Sequence, residues 1–342
     1  WTEKQALLGD ADAMWWMGVR YREGEVVEKD LKKAFDWFLK SARAGHNGAM
    51  WWLGDCYRDG EGTEEDIGEA IKWYEKSAAL ENSYAMWRLG MLYDEGNGVP
   101  EDPVLGAEWY RKSAEAGNAQ GMYYLALDYE YGTGVEQDDE EAKKWYRKAA
   151  DEGYASAQRR IGDYYADEEK YKDAMRWYEK AAEQGDGASF NEIGLMYSNG
   201  NGVRQDVNKA FGWFQRSAEA GYGWGMFNLA QCYEYGDGVQ QNDRIAKKWY
   251  EKAANERLAE AECRMGEYCC DAGDYAKARY WYKRAADRGD GRAMNMQGLL
   301  RSLEKYGLYN ERKAVEYFRQ SAEAGYGWGM YNLAHCYENG SG

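Results

Sequence analysis

The side chains with most chemistry to offer recur at a fixed interval. Trp15, Trp51, Trp87 and Tyr123 follow one another every 36 residues, and the register runs on through Arg159, Asn191, Phe227, Cys263, Asn295 and Tyr331. Four aromatics in succession offer stacking and cation–π surface, not proton transfer or nucleophilic attack. Trp224 and Trp328 stand three residues before Phe227 and Tyr331 and extend that character. Carboxylates lie close by in the same segments. Asp55, Asp59, Asp94 and Glu95 accompany the first members; Glu130, Asp163, Asp167, Glu234, Glu267 and Asp271 accompany later ones, with Arg22, Arg58 and Arg292 as exceptions. Aromatics ringed by carboxylates suit an extended peptide carrying lysine, arginine or apolar anchors. The competing reading is plain core packing, because aromatic stripes at helical spacing commonly pack. Arg159 and Asn191 in the same column speak against it, since cores rarely accept such residues.

Catalysis finds little to work with. The two histidines, His46 and His335, cannot by themselves build a metal site or a triad network. No Ser-His-Asp arrangement and no HExxH motif is present. The recurring Gly-x-Gly pairs follow helical patterns rather than a strand, so they read as punctuation and not as a phosphate cradle. Cys263 and Cys270 share a helix face, with Cys269 adjacent, and thiols in that position could take a soft metal. Two helical turns, roughly 10 Å, separate the pair, and small apolar filler is the plainer account. No cofactor and no metal are expected.

The bulk numbers narrow the partners. The chain has 342 residues and a net charge of −16, which excludes a nucleic-acid partner because phosphate contacts need clustered Lys and Arg. Neutral or cationic partners are favoured. Aromatics make up 16% of the residues, too many for a disordered chain, and two prolines in the whole length suit helices. No apolar run reaches the roughly 18 residues of a membrane span, so no membrane insertion is expected. Six scattered cysteines with no repeating framework favour a reducing compartment such as the cytoplasm.

The elements that must position these groups are repeats. Trp recurs at Trp1, Trp37, Trp73, Trp109, Trp145, Trp177, Trp213, Trp249 and Trp281, with Tyr317 on the tenth beat; two of the steps are 32 residues and the rest 36. A period in this range marks stacked supersecondary units, none of which can bury its apolar face alone. In residues 46–81, Ala49, Leu53 and Tyr57 form one helical stripe, Gly60 and Gly62 break it, Asp66 caps the next helix, and Ala70, Trp73, Tyr74 and Ala78 form the second stripe. The capping column reads Asp or Asn in every unit but that of Lys170, and Ala stands three before the recurring Trp except at Gly106. The recurring tryptophans are expected to be buried between helix pairs. Related segments at Gln120, Trp224 and Trp328 are 104 residues apart and suggest duplication of a three-repeat block. The fold class expected is all-α: a right-handed αα-solenoid of about nine helix-turn-helix repeats. Residues 1–342 are read as one continuous array that starts and ends inside a repeat.

The Leu-Gly-x-x-Tyr of the first helix, the Gly-x-Gly-Val turn and the Ala-x-x-Trp-Tyr-x-Lys-Ala of the second resemble the Sel-one-like repeat family, a branch of the tetratricopeptide superfamily. The 32-residue units are closer to plain tetratricopeptide repeats. The resemblance implies a non-catalytic scaffold or adaptor, with the first helices lining a concave groove. On that basis Trp15, Trp51, Trp87, Tyr123, Asp55, Asp59, Asp94, Glu95, Trp224 and Phe227 are the expected ligand-binding residues. The expected ligand is another protein or an extended, cationic or amphipathic peptide. A carbohydrate-binding aromatic ladder, or a spacer or regulatory arm of a larger protein, are the alternatives. The unit at residues 290–325 departs most, with Gln297 and Arg301 in the Leu and Tyr columns and a single turn glycine, Gly307. It is expected to be the weak point of the stack.

Overall fold

In a computed structural model, residues 2–303 and 309–340 are described, and Trp1 and Gly307 lie outside them. The described residues form twenty helices and no strand. The chain divides into two compact units, residues 1–161 and 162–342. The first unit holds α1 (Thr2–Leu7), then α2 (Ala11–Glu23) with α3 (Leu31–Arg43), α4 (Asn47–Asp59) with α5 (Ile67–Ala78), α6 (Ser83–Glu95) with α7 (Pro103–Glu115), and α8 (Ala119–Tyr131) with α9 (Asp139–Asp151). Helix α10 (Ala155–Asp167) carries the boundary. The second unit continues with α11 (Tyr171–Glu183), α12 (Gly187–Asn199), α13 (Val207–Glu219), α14 (Gly223–Tyr235), α15 (Asp243–Asn255), α16 (Ala259–Asp271), α17 (Tyr275–Ala286), α18 (Gly291–Ser302), α19 (Glu311–Glu323) and α20 (Gly327–Glu338). Within each unit a helix packs chiefly on its neighbours in sequence, the signature of a repeat stack.

The local causes are those the sequence suggests. Asp66 accepts the Glu69 amide proton at 2.9 Å and so starts α5, and Asp30, Asp102, Asp138, Asp206, Asn242, Asp274 and Asn310 do the same for their helices. Lys170 makes no such bond. In the Gly-x-Gly turn the two glycines have different duties. Gly60 ends α4 at φ +66°, and its amide returns to the Cys56 carbonyl. Gly62 lies against the start of α3: a Cβ there would come within 2.1 Å of the Leu31 carbonyl oxygen. The turn is therefore a contact between repeats as well as a helix break. Buried serines tie repeats together too. Ser41, Ser113, Ser217 and Ser321 each donate to a backbone carbonyl thirty residues earlier, at 2.6–2.7 Å.

The recurring tryptophans are not where the spacing placed them. The fully enclosed ring of each second helix is the next residue: Phe38, Tyr74, Tyr110, Tyr146, Tyr178, Phe214, Tyr250, Tyr282 and Phe318. Of the recurring tryptophans among the described residues, Trp177 is buried and the others are half-buried. The reason is angular. One residue on a helix turns the side chain by about 100°, and the small residues of the neighbouring first helix sit opposite the second position. Each Trp then lies at the rim of the interface under a cation three residues on, as with Lys76 over Trp73 at 4.0 Å and Lys148 over Trp145 at 3.7 Å.

Gln297 is fully buried yet fully engaged. Its Nε2 donates to the Arg279 carbonyl at 2.6 Å, and Arg301 donates to its carbonyl and its Oε1. The expected penalty for an unpaired polar group in this unit is therefore absent.

Candidate functional site

The four-residue aromatic column sits on α2, α4, α6 and α8. Trp15, Trp51, Trp87 and Tyr123 are all half-buried, neither core nor free. Each touches further rings. Trp15 lies 4.7 Å from Trp16 and stacks on His46 at 5.3 Å. Trp51 stacks on Trp52 at 4.5 Å and on Tyr84 at 5.6 Å. Trp87 meets Tyr124 at 6.3 Å, and Tyr123 meets Tyr124, Tyr146 and Tyr154 at 5.7, 5.5 and 5.1 Å. Trp16 and Tyr84 present about half their surface to solvent, at 51% and 47%. The indole N–H groups of Trp15 and Trp87 are buried without an acceptor, an unusual state for a Trp donor. Sequence reasoning missed Trp16, Trp52 and Tyr124. They share the 36-residue register one position later, with Arg88 between them.

The carboxylates are a different matter. Asp55 is buried and accepts from the Tyr74 hydroxyl at 2.5 Å, with Arg88 Nε at 3.0 Å and Arg58 Nη1 at 3.2 Å. Asp59 is clamped by Arg58 through Nε at 2.7 Å and Nη2 at 2.6 Å, and that guanidinium holds its carboxyl below the usual range. The expected acidic lining is thus neutralised at these two positions by arginines of the same face. The pattern recurs as a tyrosine–carboxylate–arginine joint. Glu130 accepts from Tyr146 at 2.5 Å and from Arg160 at 2.6 Å, and Glu234 accepts from Tyr250 at 2.7 Å and from Arg264. Each joint links a first helix to the following second and first helices, so the network is scaffolding as much as surface. Asp94 and Glu95 differ. Glu95 is exposed, and Asp94 is half-buried with its carboxyl pushed up by burial and then by Glu95 and Glu101.

In the second unit Trp224 remains 39% exposed and meets Phe227 edge-on at 5.7 Å on α14. Trp328 and Tyr331 repeat that contact on α20 at 5.8 Å. Between the helices bearing Asn191 and Asn228, the two amides bond at 2.7 Å instead of an ion pair. Cys263 is buried, its sulfur 3.5 Å from Asp290 Oδ1, and burial pushes its thiol up. Among the described residues no group of three or more His, Cys, Asp or Glu side chains comes together as a metal cage, and no helix is long and apolar enough to cross a membrane.

Ten consecutive stretches, from residues 11–46 to 329–342, match the Sel1 repeat, and they cover nearly all of the chain. This chain belongs to the Sel1 repeat family. Proteins built from Sel1 repeats are generally protein-interaction scaffolds and typically non-catalytic. Among solved structures, the array is similar to c5321, a protective antigen of uropathogenic Escherichia coli strains with the same repeat fold. Identity is 30% over 99% of this chain and 82% of that one, with a TM-score of 0.54. A Sel1 repeat protein from Oxalobacter formigenes shares 29% identity over 73% of this chain and 89% of its own, with a TM-score of 0.47. No curated protein matches the Sel1 array in sequence.

Proposed function

We propose that this Sel1 array is a non-catalytic scaffold that binds an extended segment of another protein across the first-helix face of α2, α4, α6 and α8, its concave side. One observation carries the reading: the rings on that face between Trp15 and Tyr123 form three groups, Trp15 with Trp16, Trp51 with Trp52 and Tyr84, and Trp87 with Tyr123 and Tyr124, and the four column members stay half-exposed. A stack holds rings inside when they serve only packing, as it does with Tyr74 and Tyr110. Rigid aromatics left at a surface supply large contact area at small entropic cost, which is the profile of binding anchors. Successive first helices lie roughly 10 Å apart. An extended peptide, rising about 3.3 Å per residue, meets one such anchor every third residue. Because Asp55 and Asp59 are held by Arg58 and Arg88, attraction for a cationic segment rests on Asp94 and Glu95 more than on the earlier pair. Trp224 and Phe227 form a second, separate candidate anchor on α14.

The test is recovery of a binding protein from the native source, followed by titration of Trp51→Ala against it. A central aromatic anchor typically contributes 2 kcal/mol or more, so the variant is expected to bind about 30-fold more weakly or worse. Unchanged affinity in a folded variant overturns the groove assignment. A ligand that proves to be a glycan, bound without regard to salt, replaces the peptide reading with the carbohydrate one.

A further inference from the structure

The joint between α6 and α8 has a carboxylate in the register of Glu130 but no arginine in the register of Arg160. Along the first helices, Arg88 of α6 reaches back to Asp55, and Arg160 of α10 reaches back to Glu130. The residue between them in the register, on α8, is Tyr124. Asp94 stands one repeat before Glu130, and Tyr124 one repeat before Arg160, so this joint has a phenol in the register of the guanidinium. A second acid lies behind it. Asp128 is only 4% exposed, and its Oδ2 is buried with no hydrogen-bond partner. Asp94 is the charged neighbour that, after burial, raises Asp128, both acids raise the Tyr110 hydroxyl, and among the described residues neither acid has an ion pair. The equivalents of Asp128 in the two preceding repeats are Cys56 and Leu92, ordinary core residues, so the acid is not required by the packing. The backbone is special here as well. Gly106 replaces the Ala found in the same column of the other repeats and lets α7 lie close against Asp94, since a Cβ there would stand 3.1 Å from Asp94 N and Cβ.

We propose that this joint is an acceptor site for one guanidinium from outside: an arginine side chain of the bound segment inserts between Asp94 and Asp128 and takes the place that Arg88 and Arg160 fill in the adjoining joints. The fork of a guanidinium matches two carboxylates, and its flat face matches the Tyr124 ring. Tyr124 is already stacked on Tyr110 at 5.2 Å and therefore held in one orientation. Trp87, 6.3 Å from Tyr124, places the site next to the aromatic face, so the flanking residues of the same segment reach the anchors. Without a guest, burial and Asp94 push the Asp128 carboxyl up to about 8, so it holds a proton at neutral pH. Entry of the cation releases that proton. The biological occupant rests on the peptide-binding reading above; the site itself does not.

The experiment uses the full chain with carboxyl-13C aspartate and N-acetyl-arginine-amide as the probe. The expected result is a saturable shift of the Asp94 and Asp128 carboxyl signals, with the Asp128 titration moving down from about 8. N-acetyl-citrulline-amide, of the same shape but uncharged, should leave both unmoved. Asp128→Asn should weaken the arginine probe about tenfold or more, as expected for loss of a charge-assisted partner. Tyr124→Arg should supply the guanidinium internally, abolish probe binding and raise the melting temperature, which keeps the idea testable if Asp128→Asn folds poorly. No carboxyl shift, equal binding of N-acetyl-lysine-amide, or a Tyr124→Arg variant that still takes the probe overturns the proposal. Failure here with Trp51→Ala still weakening the recovered partner leaves the scaffold reading intact. The reverse pattern sinks that reading and keeps this site.

Discussion

Tyr74 closes directly on Gly54: a Cβ added to residue 54 would stand 2.4 Å from the ring's Cε1. The same relation joins Phe38 to Gly18, Tyr110 to Gly90, Tyr178 to Gly162, Phe214 to Gly194, Tyr282 to Gly266 and Phe318 to Gly298. Glycine inside a helix costs about 1 kcal/mol against alanine, so seven such positions have to be offset by ring packing. Gly54→Ala is expected to lower stability by about 1–3 kcal/mol, the usual cost of overpacking, in spite of its better helix propensity. Ala126 and Ala230 hold the equivalent places opposite Tyr146 and Tyr250. Ala126→Gly should therefore cost only about 1 kcal/mol, from propensity. Chemical denaturation of both variants checks the contrast, and a stabilised Gly54→Ala would refute the account.

The enclosed ring and the recurring tryptophan should separate in the same way. Tyr110 is 1% exposed, whereas Trp109 is half-buried beneath Lys112, 4.1 Å from its ring. Tyr110→Ala is expected to cost about 3–5 kcal/mol, the range for a deleted core aromatic. Trp109→Ala should cost clearly less, because part of that ring's surface is never removed from water. Equal losses in the denaturation midpoint would show that the rim position is core after all.

How much of this was legible beforehand follows from which interactions are local. Helix caps such as Asp66 and breaks such as Gly60 act on their own backbone, and both stand in the expected places. The choice between Trp109 and Tyr110 as the core ring depends on which small residue the facing helix presents, and the repeat period fixes spacing but not that rotation. Partners of the carboxylates were harder still. Arg88 reaches Asp55 across thirty-three residues, and no local pattern pairs them until the stacking is known. His46 shows a third kind of miss: a histidine at an N-cap position, doing with a ring nitrogen what Asn82 and Asn118 do with an amide oxygen.

That cap should make α4 sensitive to acid. His46 Nδ1 accepts the Ala49 amide proton at 2.9 Å, and Nε2 lies 3.2 Å from Asp12. Burial lowers the ring's affinity for protons, and Asp12 opposes this without reversing it. The unfolded chain then binds more protons than the folded one near and just below pH 6.5. The stabilisation is present above that pH and is lost as pH falls through the window to the folded value. His46→Asn keeps the cap and removes the titrating group. Its stability should lose the step below pH 6.5 that the parent shows, as followed by denaturant midpoints from pH 7.5 to 5. A step that survives the substitution assigns it to another group.

Asp128 carries the opposite sign. Its carboxyl is held near 8 in the fold against the usual 3.8, so the folded state binds the extra proton between those values. Stability from this residue is complete below about pH 4 and declines as pH rises toward 8. Asp128→Asn should flatten that decline, making the variant the more stable protein at pH 8.5 and bringing the two closer at pH 5. Parallel curves for parent and variant would show that Asp128 is ionised in the folded chain throughout.

The exchanged pair in the last full repeat offers a test of how buried polar groups are tolerated. Gln297 occupies the column of Leu53, Leu89 and Leu125, and Arg301 that of Tyr57, Tyr93 and Tyr129. The two are bonded to each other, and Arg301 also lies 4.7 Å over the Tyr317 ring. Gln297→Leu restores the repeat's usual residue at one site but strips the Arg301 guanidinium of its side-chain acceptor and removes the second donor of the Arg279 carbonyl, which keeps its helix bond within α17. A half-buried cation so treated should cost about 1–3 kcal/mol, outweighing the gain in apolar burial. Arg301→Tyr alone leaves Gln297 Oε1 unbonded, at a similar cost. The double variant Gln297→Leu/Arg301→Tyr rebuilds the usual stripe and leaves no polar side chain of the pair without its partner. Its loss should fall well short of the sum of the singles, with a coupling of about 1–3 kcal/mol in a double-mutant cycle. Additive losses would mean that the two residues are tolerated independently, and that their joint departure from the repeat pattern is not a single structural exchange.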